Sequence, residues 1–536
     1  MIASEIPTPR RTLSRTGNFL GGASLGYVSQ IVMMVLGLWL TPFLLHRIGQ
    51  HDYGLWLVGT QILVYLGLLD LGVVALVPRE TAYATGRIGG DGNHEELSLL
   101  IGQTARLVLW QTPLVVLAAL AMWFLLPAEW EPLRRPMAAV LFAFVLMFPL
   151  RIFQAVLQGL QDLRALAQTT LSAWLAGIAL TVVLVFAGLG LYALALGWVA
   201  TQLLAIPLVL YRLKKNFPGV LPRRLSRLPW NVARKKLVNG FWVSVNQIAV
   251  VLLAGTDLLI IGKLLGPAAV VPYVCTGKLI TVLANQPQML GQLAIPALSE
   301  LRVRTEREHL AGVCIALSQA MLMVSGAVVC VALATNRGFV SWWVGAQQFG
   351  GFWLTVLVLL NMLLRHCNLT VGYILFSFGR ERRLAVTSLL DGSVTVCSAI
   401  ILTRHFGLIG APLGMLLGVC LVSLPGNVSA LAAANAIPIL RFLKSLAPWF
   451  WRFAALTVAA GAFAQRFNLN SFLKLASTAV VAIIIYAVVM LPVASRDPLG
   501  IYVRPRLAAL AAKLFSLFPV SAGVLARLVR ADANNE

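Results

Sequence analysis

The chain has 536 residues, 59% of them hydrophobic and 11% charged, with a formal net charge of +23. Soluble proteins carry about 25% charged residues, so an ordinary soluble enzyme is excluded. The lack of ten-residue alternating segments excludes a membrane β-barrel.

Apolar runs of 18 or more residues recur from end to end, each long enough to cross a bilayer as a helix. The expected fold is an all-α polytopic membrane protein with about fourteen transmembrane helices. In chain order the first six spans are expected near 19–45, 53–77, 99–126, 137–160, 164–187 and 191–211. The next six are expected near 237–263, 269–296, 309–334, 350–378, 384–403 and 407–430, and the last two near 447–465 and 473–494. Arg10, Arg11 and Arg15 precede the first run without a convincing small-residue cleavage site. It therefore reads as a spanning helix rather than a signal peptide.

Charge sets the orientation. With the N-terminus cytoplasmic, 29 of the 42 basic residues fall on the inner side. Nine of them lie in the acid-free loop 212–236, "RLKKNFPGVLPRRLSRLPWNVARKK". This is the positive-inside bias, and it explains the net charge without nucleic acid. An even helix count puts both termini inside, where basic loops meet anionic phospholipids of the inner leaflet. Two stretches, 436–446 and 503–518, have the apolar and basic spacing of interfacial helices. The six cysteines form no C-x-x-C pair and the six histidines are scattered. Neither a metal site nor a cofactor is expected.

The first two helices match the seventh and eighth at an offset of 217. Gln30 falls on Gln247, Gly49 on Gly266 and Trp56 on Tyr273. Six helices separate the copies, so both begin on the same side and the repeat is parallel. The expected organisation is an N-terminal arm (1–18), an N-lobe (19–211), a basic linker (212–236) and a C-lobe (237–430). An interfacial segment with two extra helices (431–495) and a basic amphipathic tail (496–536) follow.

Polar residues within such spans are costly and usually face the interior or a watery cavity. Helix 4 carries Arg151, Gln154, Gln158 and Gln161 on one face. Helix 8 carries Lys278, Thr281, Asn285, Gln288 and Gln292. Helix 10 offers Asn361, Arg365 and Asn368, helix 11 Ser388, Asp391, Thr395 and Ser398, and helix 3 Gln103, Arg106 and Trp110. These stripes read either as a lined cavity or as polar contacts between packed helices. Helices 4 and 10 are equivalent under the repeat, so Arg151 and Arg365 are expected to enter one central cleft from opposite lobes. A guanidinium keeps its charge and grips phosphate through two parallel hydrogen bonds. The candidate substrate-binding residues are Arg151, Arg365, Arg106, Lys278, Gln154, Gln158, Asn285, Asn361 and Asn368. The carboxylates Asp70, Asp257 and Asp391 are candidates for ion coupling or structure. Asp257 is expected as a partner of Lys278, as a cation-coupling group or as a lone group in an aqueous vestibule. Asp70 is expected to pair with Arg106, and Asp391 to remain available for a cation or for Arg365.

"TPFLLHRIGQHDYGLWLVGTQILVYLGLLDLGVVALVPRE" (41–80) resembles the opening of the Wzx-type oligosaccharide flippases, a branch of the multidrug/oligosaccharidyl-lipid/polysaccharide exporter superfamily. "GTDLLIIGKLLGPAAVVPYVCTGKL" (255–279) is similar to that family's second-lobe opening. The resemblance implies two six-helix bundles around a positive cavity. It also implies an undecaprenyl-diphosphate-linked oligosaccharide moving from the inner to the outer leaflet of the bacterial cytoplasmic membrane. Polysaccharide polymerase machinery is the partner this implies. Three alternatives remain: a multidrug exporter of the same superfamily, a membrane-embedded glycosyltransferase or polymerase, and a scaffold. An acidic cavity would mark the drug exporter. A paired acid and base or a sizeable outer domain would mark the enzyme, and the outer loops are short. No G-x-x-x-x-G-K-[ST] loop is present, so energy would come from an ion gradient or mass action.

Overall fold

Apolar residues in lipid must satisfy their backbone internally, and a run of them therefore folds as helix. A computed structural model describes residues 10–87, 95–222, 225–304, 307–435, 439–467 and 469–517. Arg223 and Arg224 of the basic loop, residues 436–438 and the tail after 517 lie outside the described residues.

The N-terminal half contains α1 (Arg10–Ile48), α2 (Gln50–Gly67), α3 (Val73–Arg87), α4 (Glu95–Phe124), α5 (Glu131–Met147), α6 (Arg151–Gly159), α7 (Leu163–Phe186) and α8 (Leu191–Asn216). Then follow α9 (Trp230–Ala254), α10 (Asp257–Leu264), α11 (Pro267–Arg304), α12 (Arg307–Trp343), α13 (Phe352–Ser377) and α14 (Glu381–Phe406). Last among the described residues come α15 (Gly410–Gly418), α16 (Leu424–Asn435), α17 (Ile439–Arg466), α18 (Phe472–Ala494) and α19 (Gly500–Leu517). The protein is an all-α polytopic membrane protein. Thirteen stretches among the described residues are long and apolar enough to span a bilayer. The longest, Glu381–Ala433, covers 53 residues and turns back at Gly407. Backbone at Leu402, Ala399 and Asp391 lies beside Gly410, Gly414 and Gly418 in turn, so this stretch is a hairpin of two crossings. With it the count agrees with the fourteen expected.

Three expected spans are broken rather than continuous. The second breaks between α2 and α3, where Leu71 takes φ 49° and Gly72 φ 69°. A side chain at Gly72 would strike the Gly240 carbonyl of α9, so glycine permits both the turn and the close approach. The fourth breaks at Phe148–Leu150, where Pro149 removes a helix donor. The seventh breaks at Gly255–Thr256, between α9 and α10. The expected interfacial segment 436–446 runs without interruption into α17 from Ile439 onward.

The 217-residue repeat is visible in the backbone. Gly49 and Gly266 turn at φ 86° and 91°, and Gly190 and Gly407 at φ 53° and 63°. Without a hydrophobic force between helices in lipid, small residues let backbones approach. On α7 and α8, Gly177 and Thr181 face Gly197 and Thr201. At the same offset, Gly414 of α15 presses on Ala399 of α14, and Ser398 donates to the Gly414 carbonyl at 3.2 Å.

Contacts divide the chain into two compact units. The first contains Met1–Lys278, Val340–Leu357 and Arg382–Ser423. Its core joins α3, α4 and α6 through Val77, Leu97, Ile101, Ile152 and Leu157. The second contains Leu279–Phe339, Val358–Glu381 and Leu424–Glu536. There Trp449 stacks on Phe453 at 4.5 Å and donates to the Tyr486 hydroxyl at 3.1 Å. All three rings close on Gly326 of α12, which fastens α17 and α18 to it.

Candidate functional site

The break before α6 positions Arg151. Its guanidinium stands 6.0 Å from the Phe144 ring centroid and 5.9 Å from that of Phe148. It also reaches over Gly67, 3.8 Å from where a β-carbon there would sit. Nη1 is buried and has no hydrogen-bond partner. No carboxylate lies within ion-pair distance of it among the described residues. Gln154 is half-buried and Gln158 exposed on the same short helix. Gln161 is off the stripe: α6 ends at Gly159 and Gln161 turns at φ 61°.

Asp70 does not pair with Arg106. Its Oδ1 accepts from the Gly72 amide at 2.9 Å, capping the α2 break, and its carbonyl accepts from Gln111 Nε2 at 3.1 Å. The positive charge that acts on it is that of Arg151. Arg106 Nη1 donates instead to the Ser226 carbonyl at 3.1 Å, and Gln103 donates to the Arg227 carbonyl at 3.4 Å. The helix 3 stripe thus holds the connector between α8 and α9. Lys236 adds a salt bridge to Glu80 there and a bond to Thr104 at 3.1 Å.

Asp257 opens α10, where unpaired amides and the helix dipole favour a carboxylate. Its side-chain partner is the Tyr273 phenol, and the expected ion pair with Lys278 does not form. Lys278 is half-buried, near the Cys275 thiol. Asp391 is not an available carboxylate either. It is fully buried, with Thr395 donating to Oδ1 at 3.1 Å and Ser423 to Oδ2. The helix 11 stripe is therefore a polar seam within a hairpin.

In the second unit, α11 carries Asn285, which is exposed, and Gln288; the side chain of Gln292 lies outside the described residues. Asn361, Arg365 and Asn368 are half-buried on α13. Asn368 Oδ1 accepts from Asn427 Nδ2 at 2.8 Å. Beside them is His366, 1% exposed, its Nδ1 2.8 Å from Ser325 Oγ and its Nε2 3.5 Å from Gln288 Nε2. Sequence reasoning missed this histidine because it counted histidines by spacing along the chain. Its partners come from α11 and α12.

A seam within the first unit links the two repeats. Gln50 Nε2 donates to the Ala268 carbonyl at 2.8 Å, and Gln348 Nε2 to Gln50 Oε1 at 2.9 Å. Trp343 Nε1 donates to the Leu38 carbonyl at 2.6 Å. Gly54 lies directly against the Pro267 carbonyl. The matching turns at Gly49 and Gly266 meet here.

Residues 19–302 match the family described as "Polysaccharide biosynthesis protein". The chain belongs to that family. A curated relative of this polysaccharide biosynthesis protein is the "Uncharacterized membrane protein EpsK" of Bacillus subtilis (strain 168). It is 22% identical over 412 residues, covering 72% of this chain and 77% of the relative. Among solved structures, "Lipid II flippase MurJ, inward closed conformation" aligns at TM-score 0.61 and 11% identity, over 88% of this chain and all of that one. An inward-facing multidrug resistance MATE family transporter of the MOP superfamily aligns at 0.55 and 14%, over 80% and 99%. These likenesses show that this chain shares the fold of those two structures.

Proposed function

We propose that this protein flips a diphosphate-linked oligosaccharide on an undecaprenyl carrier from the inner to the outer leaflet of a bacterial cytoplasmic membrane. The observation that carries this reading is Arg151. A permanent cation is held within the membrane-spanning bundle by aromatic faces, with a buried donor unfilled. An anionic group that accepts two parallel hydrogen bonds satisfies such a guanidinium. Under the charge-derived orientation, with both termini cytoplasmic, Gln154 and Gln158 continue this face toward the inner side. The reading also draws on Lys278 of α11 and, within the second unit, on Asn285 of α11 and Asn361, Arg365 and Asn368 of α13. The structural likeness to a lipid II flippase and the membership of a polysaccharide biosynthesis family support this reading. The basic connector sits against anionic inner-leaflet headgroups, with Arg106 as its anchor.

Transport by alternating access requires the Gln50–Gln348–Ala268 seam, on the outer side in this orientation, to open. Its bonds are amide to amide or amide to carbonyl, each worth only about 0.5–1.5 kcal/mol net, so it can open thermally. No step of covalent catalysis is needed, and the protein acts as a transporter rather than an enzyme. Polysaccharide polymerase machinery consuming the lipid on the outer side would supply direction. The test is translocation of lipid-diphosphate oligosaccharides in proteoliposomes, with Arg151→Ala and Arg365→Ala at matched insertion. Flipping by the wild type and its loss in both variants is the expected result. Wild-type rates in both variants would remove the basic path, and no flipping across a panel of glycans would remove the reading.

A further inference from the structure

The polar stripes of the sequence leave out the seventh span, yet α9 carries one in the structure. Its buried side, with Ala233, Gly240, Ser244 and Val251, recurs at helical spacing. That side packs on α3, where Gly240 meets Gly72 and Lys236 pairs with Glu80. The rest of α9 shows two different faces. Val238, Phe241 and Ile248 are exposed on one, and it is apolar, as a lipid contact requires. Lys235, Asn239, Trp242 and Asn246 recur at i, i+4, i+7 and i+11, and all four are exposed. They lie about a third of a turn round the helix from the apolar face.

Asn246 stands nine residues beyond Leu237, where the expected span begins. That is a rise of about 13 Å into a hydrocarbon core about 30 Å thick. Among the described residues neither Asn239 nor Asn246 has a side-chain hydrogen bond. A carboxamide turned to lipid at that depth is costly, so this face meets a polar occupant. Its chemistry is specific. Trp242 is 44% exposed, with Arg382 of α14 5.6 Å from its ring centroid. α14 also packs on α9 where Gly392 meets Leu252. The guanidinium holds the ring by attraction to its face. A flat aromatic surface with carboxamides three residues before and four after suits a pyranose. The C–H face of the sugar lies on the ring, and its hydroxyls exchange bonds with amides that both donate and accept. The carboxamide oxygens repel an anion. Lys235 and Arg382 stand toward the inner end under the charge-derived orientation, so the neutral part of a head group belongs at Asn246.

We propose that Asn239, Trp242 and Asn246 bind one neutral pyranose of the transported oligosaccharide and set which glycans pass. The assignment rests on the flippase reading above and adds to it the residues that read the glycan rather than the diphosphate.

Two measurements on the full-length protein in proteoliposomes test it. In the first, Asn246→Cys and Ile248→Cys are each treated with a hydrophilic maleimide on both sides of the bilayer. Peptide mass spectrometry separates the label from that on native cysteines. Asn246→Cys should react about tenfold faster, because only its face is wet. Equal rates would overturn the track. In the second, flipping of an oligosaccharide lipid that the wild type transports is compared with that of sugar-free undecaprenyl diphosphate. Trp242→Ala and Asn246→Ala should each slow the glycosylated lipid by about two- to tenfold, the worth of one stacked ring or one neutral hydrogen bond. The sugar-free rate should not change, and Trp242→Phe, which keeps a ring, should recover most of the loss. Equal slowing of both lipids, or Trp242→Phe as deficient as Trp242→Ala, would overturn the proposal. A wild type that flips no lipid while Asn246→Cys reacts fast removes the flippase reading and the glycan assignment with it. A wild type that flips the oligosaccharide lipid while Asn246→Cys reacts no faster than Ile248→Cys removes the track alone.

Discussion

Arg151 and Arg106 lie on helices of one compact unit, both within apolar spans, and both are half-buried. Arg106 has been given a partner by its own chain, the Ser226 carbonyl. Arg151 has been given two aromatic faces and a distant carboxylate, and its Nη1 remains unfilled. The pair shows that a charge inside a span is not by itself a binding group. What distinguishes them is whether the fold has already spent the donors. Arg106 Nη1 is used in holding a connector, whereas Arg151 Nη1 has no partner.

The comparison can be broken by substitution. The largest effect is expected at Arg151→Ala: transport in proteoliposomes should fall by about 10- to 100-fold, the worth of charge-assisted bonds to a phosphate. Arg151→Lys should recover only part of that, because a point charge cannot reproduce the planar fork. Next comes Gly72→Ala, where positive φ and the Gly240 carbonyl both oppose a side chain. It should lower the midpoint of thermal unfolding in detergent, with a loss of about 1–3 kcal/mol. A smaller effect is expected at Asp70. Asp70→Ala removes the cap on the Gly72 amide and should cost about 1 kcal/mol in the same assay. Asp70→Asn keeps an accepting oxygen and should cost less. Arg106→Gln should change transport by about twofold, the low end of what one part-buried hydrogen bond is worth. A loss there as deep as that of Arg151→Ala would erase the distinction between the two arginines. Finally, Lys278→Gln should not rescue any defect of Asp257→Asn, since Tyr273 and not Lys278 partners that carboxylate.

How much of this was legible in the sequence follows from what each feature depends on. Apolar length fixed the spans, and the glycine turns at 49 and 266 fixed the first part of the repeat. The break after Asp70 was hidden, because a left-handed Leu71 followed by Gly72 looks like continuous apolar helix until α9 is seen against it. The pairings Asp70–Arg106 and Asp257–Lys278 failed for a related reason. Adjacency in a hairpin sets depth but not rotation, and one short break turns a side chain away from its neighbour. The helix 11 stripe was correctly seen as periodic. Periodicity cannot tell a cavity wall from a hairpin seam, and Ser423, 32 residues beyond Asp391, decided it. His366 needed Ser325 and Gln288 from two other helices, so no local signal marked it.

The offset of 217 has a history in it. It holds between Gly49 and Gly266, slips to 218 between the turns that begin at Ala128 and Ala346, and returns to 217 between Gly190 and Gly407. The one-residue difference at these turns is made up before the next hairpin. The two turns differ in side chain, one ending in Trp130 and the other in Gln348. The length of chain between their hinges has been restored to the residue. In this molecule the duplicated halves differ in chemistry and agree in measure.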